Sequence, residues 1–153
     1  MVLTFLSRRK QGKFAAGEVM YRIMKRNFGY QLTFGGKLDN AEIVQWYCES
    51  ESRLAENDHF PFSVIVDMRS VRSVSPATKA VIIEGQKLYR DKGMRRSVVI
   101  VDDPMMMQQL KHAAMTSGIY EKERYIDVKQ KANWVNEALS WIRDGVFNDN
   151  DPE

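Results

Sequence analysis

The chain has 153 residues, of which 44% are hydrophobic and 28% charged, enough for one globular domain with a buried core. Its 23 Lys and Arg residues against 20 Asp and Glu residues give a formal net charge of +3. This small basic excess comes without a basic stripe interleaved with aromatic residues, so we expect no nucleic-acid partner. The single cysteine, Cys48, cannot form an internal disulfide, which favours a cytoplasmic protein. No apolar run approaches the roughly 20 residues that a transmembrane segment needs.

The sequence predicts one domain between two unstructured ends, and this domain begins with a hairpin. Residues 1–16 carry no clear periodicity and are predicted to be a flexible extension, and 148–153 a disordered tail. Residues 17–147 are interpreted as a single domain. Strands over 19–25 and 29–35 flank a turn and predict an antiparallel pair.

A helix is predicted from Asp39, which caps it, to about Glu56. Val44 and Cys48 are placed on its core-facing side, where Cys48 acts as core filler rather than as a nucleophile. The continuous apolar run 62–68 follows this helix. Such runs are typical of central strands that are covered on both faces.

Two helix starts repeat one signature, a capping side chain followed by proline. Ser75-Pro76 opens a helix to about Asp91, and Asp103-Pro104 opens a second one. The remaining elements are a strand over 96–101, a helix over 104–117, an edge strand over 122–128 and a helix over 131–145. Strands that alternate with helices predict an α/β fold of order β-β-α-β-α-β-α-β-α, with a mostly parallel sheet and an antiparallel first strand.

The predicted loop after strand 62–68 is the main candidate site. It contains Asp67, Arg69, Arg72 and Ser75, beyond the carboxyl end of a central strand, where α/β sheets commonly bind ligands. The amides at the start of helix 76–91 point toward this region, so the two arginines and the helix could hold a phosphate or carboxylate. The alternative is that Ser75 only caps the helix, Asp67 accepts a backbone hydrogen bond and the arginines are solvated.

Met105, Met106 and Met107 form the second candidate feature. Three consecutive methionines cannot all face the core of one helix. One interpretation is an adaptable hydrophobic contact surface. The other is that two of them are buried and one is tolerated on the surface.

Motifs for metal binding or catalysis are absent from the sequence. The two histidines are isolated, no phosphate-binding glycine loop occurs, and there is no Gly-x-Ser-x-Gly elbow. We therefore expect no metal and no cofactor. Asp67, Asp102 and Asp103 stand at strand ends as conceivable acid–base groups, but acids there more often cap helices or tie loops.

Three segments of the chain resemble those of a known family. The segment Val64-Ile-Val-Asp-Met-Arg-Ser-Val-Arg-Ser-Val-Ser-Pro76 is similar to the strand, loop and helix start of bacterial anti-sigma-factor antagonists, the STAS or SpoIIAA-like family. Gly36-Lys37-Leu38-Asp39 and Ser117-Gly-Ile-Tyr-Glu-Lys-Glu-Arg-Tyr125 are further points of resemblance. The resemblance covers about residues 19–145. It is strongest to a branch of undescribed function, which is often grouped with STAS and CRAL-TRIO lipid-binding domains.

The resemblance implies a partner surface around the same loop and helix start. Antagonists that switch by phosphorylation open the second helix with Asp-Ser-Ser/Thr-Gly, whereas this chain has Ser75-Pro76-Ala77-Thr78. The phosphorylated position falls on Ala77, so the resemblance does not carry the switch over. Ser75 and Thr78 are offset alternatives for it.

Together these observations predict a non-catalytic regulatory or protein-interaction module with its contact surface at loop 67–78 and helix 76–91. Homodimerisation through an edge strand or an exposed helix is compatible with this prediction. The alternative is a carrier of a small lipid or other apolar anion, with Met106, Met107 and the basic loop lining its pocket.

Overall fold

The structure, a computed structural model, describes residues 20–57 and 61–148. The predicted N-terminal extension and residues 149–153 of the predicted tail lie outside this part of the chain. The described elements, with one 3-10 turn at Tyr120–Lys122, are β1 (Tyr21–Arg26), β2 (Gly29–Lys37), α1 (Asn40–Ala55), β3 (Phe62–Ser73), α2 (Pro76–Asp91), β4 (Met94–Val101), α3 (Pro104–Ser117), β5 (Glu123–Asp127) and α4 (Trp134–Asp144). This is the predicted order.

The five strands form one sheet in the order β1-β2-β3-β4-β5. β1 pairs with β2 antiparallel, and every later pair is parallel. The predicted α/β class, with its mostly parallel sheet and antiparallel first strand, is confirmed. Because successive parallel strands are neighbours and their crossovers share one hand, the connecting helices α1, α2 and α3 lie on the same face.

The sheet separates two hydrophobic cores. Val64 and Val99 belong to the first core, beneath α1, α2 and α3. Ile65 and Val98, their neighbours along the strands, belong to the second core, which includes Trp141 of α4. Side chains alternate between the faces of a strand, and β3 and β4 therefore contribute to both cores.

The helix ends follow the predicted capping chemistry. The side chain of Asp39 accepts from the amide of Glu42 at the start of α1, and the hydroxyl of Ser75 accepts from the amide of Thr78 at the start of α2. Asp103 accepts from the amide of Met105 and opens α3. At the other ends, Gly118 (φ 92°) and Gly145 (φ 71°) stop α3 and α4 in the left-handed conformation.

The prediction for the buried face of α1 is wrong at Val44 and Cys48. Val44 is 42% exposed and Cys48 is also exposed. The buried positions are Ile43, Trp46, Ser50 and Leu54. The helix buries its largest aromatic side chain, which contributes most to the hydrophobic free energy, and this choice rotates Val44 and Cys48 toward solvent.

Gly85 of α2 allows a close helix–helix contact. The Trp46 ring stacks on Tyr89 with a centroid distance of 6.0 Å and packs edge-on against Phe34 at 5.4 Å. A Cβ atom built on Gly85 would overlap the Trp46 ring. Gly85 therefore lets α2 lie close to Trp46 of α1.

We expect Gly85→Ala to destabilise the protein although alanine is the better helix former. Helix propensity favours alanine by about 1 kcal/mol. Overlap with a ring that is fixed on two sides costs about 1–3 kcal/mol, so the free energy of unfolding in urea should fall. In a Trp46→Leu background the ring is gone, and there the same change should stabilise. A stabilising Gly85→Ala in the otherwise unchanged chain would contradict this packing.

Candidate functional site

The predicted basic loop is a strand in the structure. β3 continues to Ser73, where it pairs with Lys37 of β2, and the register with β2 shifts between Asp67 and Ser70. Asp67, Arg69 and Arg72 therefore lie on β3, and only residues 74–75 connect β3 to α2. The prediction of a loop over 67–75 is wrong because β2 extends far enough to pair with these polar positions.

Asp67 and Arg69 form a buried ion pair. Arg69 Nε lies 3.0 Å from Asp67 Oδ1, Arg69 Nη2 lies 2.9 Å from Asp67 Oδ2, and the Arg69 amide also donates to Oδ1. The side chains are 1% and 8% exposed, respectively. The Arg69 guanidinium lies over the ring of Trp134, 4.9 Å from its centroid.

This geometry places Arg69 on the opposite face of the sheet from α2. Trp134 packs against the second core beneath α4, while α2 covers the first core. The guanidinium is committed to Asp67 and Trp134, so it does not join the α2 amides in one anion site, as the sequence analysis proposed. Arg72, nearer the end of β3, is exposed.

Ser75 and Thr78 form a hydroxyl chain at the start of α2. The Ser75 hydroxyl donates to Thr78 Oγ1 at 3.1 Å and accepts from the Thr78 amide. Thr78 Oγ1 donates to the Leu38 carbonyl at 3.2 Å, and its side chain is fully buried. The chain ties α2 to the connection between β2 and α1. Ser75 thus caps the helix, as the alternative interpretation has it.

The three methionines divide as the surface-tolerance interpretation predicts. Met106 is 5% exposed and belongs to the first core, and Met107 packs partly buried against the same core. Met105 is 71% exposed. Two turns later, His112 shares a 2.9 Å hydrogen bond with Lys79 of α2. Met105 therefore stands at the free end of the seam between α2 and α3.

The exposed residues at the ends of β3 and β4 form one edge of the molecule, which we call the carboxyl rim. It consists of Arg72, Ser75, Pro76, Ala77 and Met105, all exposed. β3 and β4 are adjacent and parallel, so the starts of α2 and α3 emerge from the same edge of the sheet. The rim unites the exposed members of both predicted candidate features.

Glu123 is a buried titratable residue that the sequence analysis missed. It lies on β5, predicted to be a polar edge strand, yet it is only 4% exposed. It accepts hydrogen bonds of 2.6 Å from the hydroxyls of Ser97 and Tyr125. Burial raises its pKa to about 7, although both hydrogen bonds act in the opposite direction. The polar sequence of β5 did not indicate that Glu123 is buried. The burial arises because α3 and α4 cover the two faces of this strand.

A cleft of about 550 Å³, the edge cleft, lies beside Glu123. It is bounded by α3, β5 and Phe147 after α4. A smaller cavity of about 60 Å³ lies in the first core, and Glu123 lines both spaces. Met107 lines the edge cleft, whereas Arg69 and Arg72 line neither of these two spaces.

The architecture is shared with a solved structure. The crystal structure of an uncharacterized protein of the DUF3478 family from Shewanella loihica PV-4, described as having a SpoIIAA-like fold, matches with a TM-score of 0.57. The match covers 85% of this chain and 99% of that chain.

The chain has a SpoIIAA-like fold. The fold implied by the resemblance of the β3–α2 segment is thereby confirmed. Sequence identity across the SpoIIAA-like match is 16%, so what the two proteins share is the fold. No family model matches the chain, and no curated protein does. Among the described helices of this SpoIIAA-like fold, none is both long and apolar enough to span a membrane.

Arg69 and Arg72 should behave differently on substitution. Arg69→Ala leaves the Asp67 carboxylate buried without its cation, and we expect the free energy of unfolding to fall by about 3 kcal/mol. Arg72→Ala, the matched control on the exposed end of the same strand, should stay within about 0.5 kcal/mol of the parent. Urea unfolding measures both. Equal effects of the two substitutions would contradict the buried pair.

Glu123 should make stability depend on pH. The unfolded chain releases this proton near 4.5 and the folded chain near 7, so the folded state holds the proton between those values. The free energy of unfolding should therefore fall as pH rises through this window, by about 3 kcal/mol in total, and level off above it. Glu123→Gln keeps the hydrogen-bonding shape without the titration. The free energies of unfolding of the parent chain and of Glu123→Gln, measured in urea at several pH values, should differ by an amount that changes across this window. A difference that is the same at every pH would contradict the raised pKa of Glu123.

Proposed function

We propose that this chain is a non-catalytic protein-interaction module of the STAS-like type and that its partner binds at the carboxyl rim. The observation that carries the proposal is the 71% exposure of Met105 in the first turn of α3. An exposed methionine is a flexible, polarizable contact residue that adapts to a partner surface. Pro76 and Ala77 extend the apolar area on the α2 side of the seam.

A positive charge on this surface indicates what kind of partner it would bind. Arg72 is exposed near the end of β3, four residues before Pro76. Arginine is enriched at protein interfaces because its planar guanidinium can bind a carboxylate through two hydrogen bonds. The partner proposed for the rim is therefore a protein with an apolar patch and an acidic side chain beside it.

The engagement of the acidic residues supports a non-catalytic role. Asp67 is fully occupied by the guanidinium of Arg69. Asp103 caps α3 through the amide of Met105. A general base must be within reach of the proton it removes, and these two carboxylates already serve structural donors.

The hydroxyls at the start of α2 support binding without a phosphorylation switch. Thr78 is fully buried and hydrogen-bonded to Leu38, so its hydroxyl is inaccessible to a kinase in the folded chain. Ser75 is exposed, but its hydroxyl is the helix cap. Their proposed role is to hold the α2 edge of the rim in a fixed conformation.

Charge reversal at the rim should remove partner binding. The chain is expressed with a tag in its native host, cross-linked in cells, purified and compared by quantitative mass spectrometry. We expect a protein that is enriched with the parent chain to drop at least about tenfold with Met105→Glu or Arg72→Glu, because an interface charge facing an apolar patch or a like charge costs over about 1.4 kcal/mol.

The chain offers matched controls for both substitutions. Met115→Glu places the same charge at the other end of α3, on a methionine that is 57% exposed. Arg143→Glu reverses an exposed arginine on α4. Both should retain the partner. Loss of the same protein with all four variants, or with neither rim variant, would overturn the assignment of the rim.

A further inference from the structure

The edge cleft has the dimensions of a small-molecule site. Its volume of about 550 Å³ is typical of pockets that hold small organic ligands. Its lining includes Lys111 from the middle of α3, residues of β5, and Phe147 after α4. None of the rim residues lines it, so the cleft is separate from the proposed partner surface.

Aromatic rings dominate the wall next to β5. Tyr120 and Tyr125 stack with a centroid distance of 6.4 Å and an angle of 27° between their planes. Tyr120 is 37% exposed, so part of its ring is open to solvent. A planar, apolar ligand that packed on this ring would cover it and extend the stack by offset aromatic contact.

The cations that line the cleft are committed to different degrees. Lys131 forms an ion pair of 3.0 Å with Glu137. Arg124 Nη1 donates to the carbonyls of Glu121 and Glu123, and its guanidinium lies over the ring of Trp141, 4.1 Å from the centroid and outside the cleft lining. These contacts hold both side chains in place and, for Lys131, neutralise the charge.

Lys111 differs from both. Its ammonium lies over the ring of Tyr125, 5.7 Å from the centroid. Within residues 20–57 and 61–148 it makes no ion pair with a carboxylate. Of the three described cations that line this cleft, Lys111 is the one held neither by a carboxylate nor by backbone carbonyls, and its ammonium is therefore the group best placed to bind the charge of a ligand.

The acidic groups that line the cleft favour a ligand with a single negative charge. Asp127 is buried and accepts from the amide of Lys129, and Glu121, which also lines the cleft, is exposed. Glu123 is held by two hydroxyl donors at the floor. One available ammonium among these acids suits a carboxylate, whereas a dianionic phosphate would need further cations.

We propose that the edge cleft binds a small aromatic carboxylate, whose ring packs on Tyr120 and Tyr125 and whose carboxylate pairs with Lys111. This goes beyond the partner-binding function, because it involves no protein partner and no rim residue. Either proposal can fail while the other stands.

The test compares an acid with its neutral amide. Indole-3-acetate and indole-3-acetamide have the same ring and nearly the same shape, and each is titrated into the full chain while amide signals are followed by NMR. We expect saturable shifts at Lys111, Tyr120 and Tyr125 with the acid at submillimolar concentration. The amide should bind about tenfold more weakly, because it lacks the charge that pairs with Lys111.

Two variants separate the charge from the ring contact. Lys111→Met should reduce binding of the acid to the level of the amide and leave the amide unchanged. Tyr120→Ala should weaken both probes. Lys129→Met, at an exposed lysine outside the cleft lining, is the matched control and should change neither. Equal affinity for acid and amide, or no saturable shift in the cleft at millimolar probe, would overturn the proposal.

Discussion

Strand β3 contributes side chains to two cores at once, and the buried pair on its α4 face is the interaction on which the site geometry depends. A carboxylate with 1% exposure is tolerated at a central strand only if its charge is matched and its oxygens are hydrogen-bonded. Arg69 supplies both through its bidentate contact with Asp67. Trp134 then covers the guanidinium from the side of α4. The pair lies where the register between β3 and β2 shifts. Arg69 is held in the pair, and Arg72 is the basic side chain that reaches the surface.

Residues that are close in sequence are therefore divided between different roles. Arg69 stabilises the fold, Ser75 and Thr78 fix the start of α2, and Arg72 remains exposed at the edge. A second division occurs along α3, where Met106 enters the core and Met105 projects from the rim. Lys111, further along the same helix, faces the edge cleft. One helix thus contributes to the core and to two separate surfaces.

Much of the fold is predictable because its signals are local. The Ser75-Pro76 and Asp103-Pro104 pairs, the glycines after α3 and α4, and the alternation of strands with helices each follow from capping geometry and chain periodicity. The extent of β3 is not predictable in this way. Its polar continuation becomes a strand only because β2 pairs with it.

The site was harder to predict, because burial of polar groups is decided by residues distant in sequence. Asp67 and Arg69 are two residues apart and suggest a solvated loop until Trp134 is brought over them by α4. Glu123 is buried by its position between β4 and α3, and its hydrogen-bond partner Ser97 is 26 residues away. The rotation of α1 that exposes Cys48 likewise depends on Tyr89 of another helix.

The environment of the Arg69 side chain is the most direct measure of this account. In NMR spectra of the labelled chain, the Arg69 Hε proton should exchange slowly with water and show a nuclear Overhauser effect to the Trp134 ring, while the Arg72 Hε proton exchanges at the rate of an exposed arginine. Rapid exchange at Arg69, or an Overhauser effect from its side chain to the first turn of α2, would contradict the buried pair and the assignment of Arg69 and Arg72 to different environments.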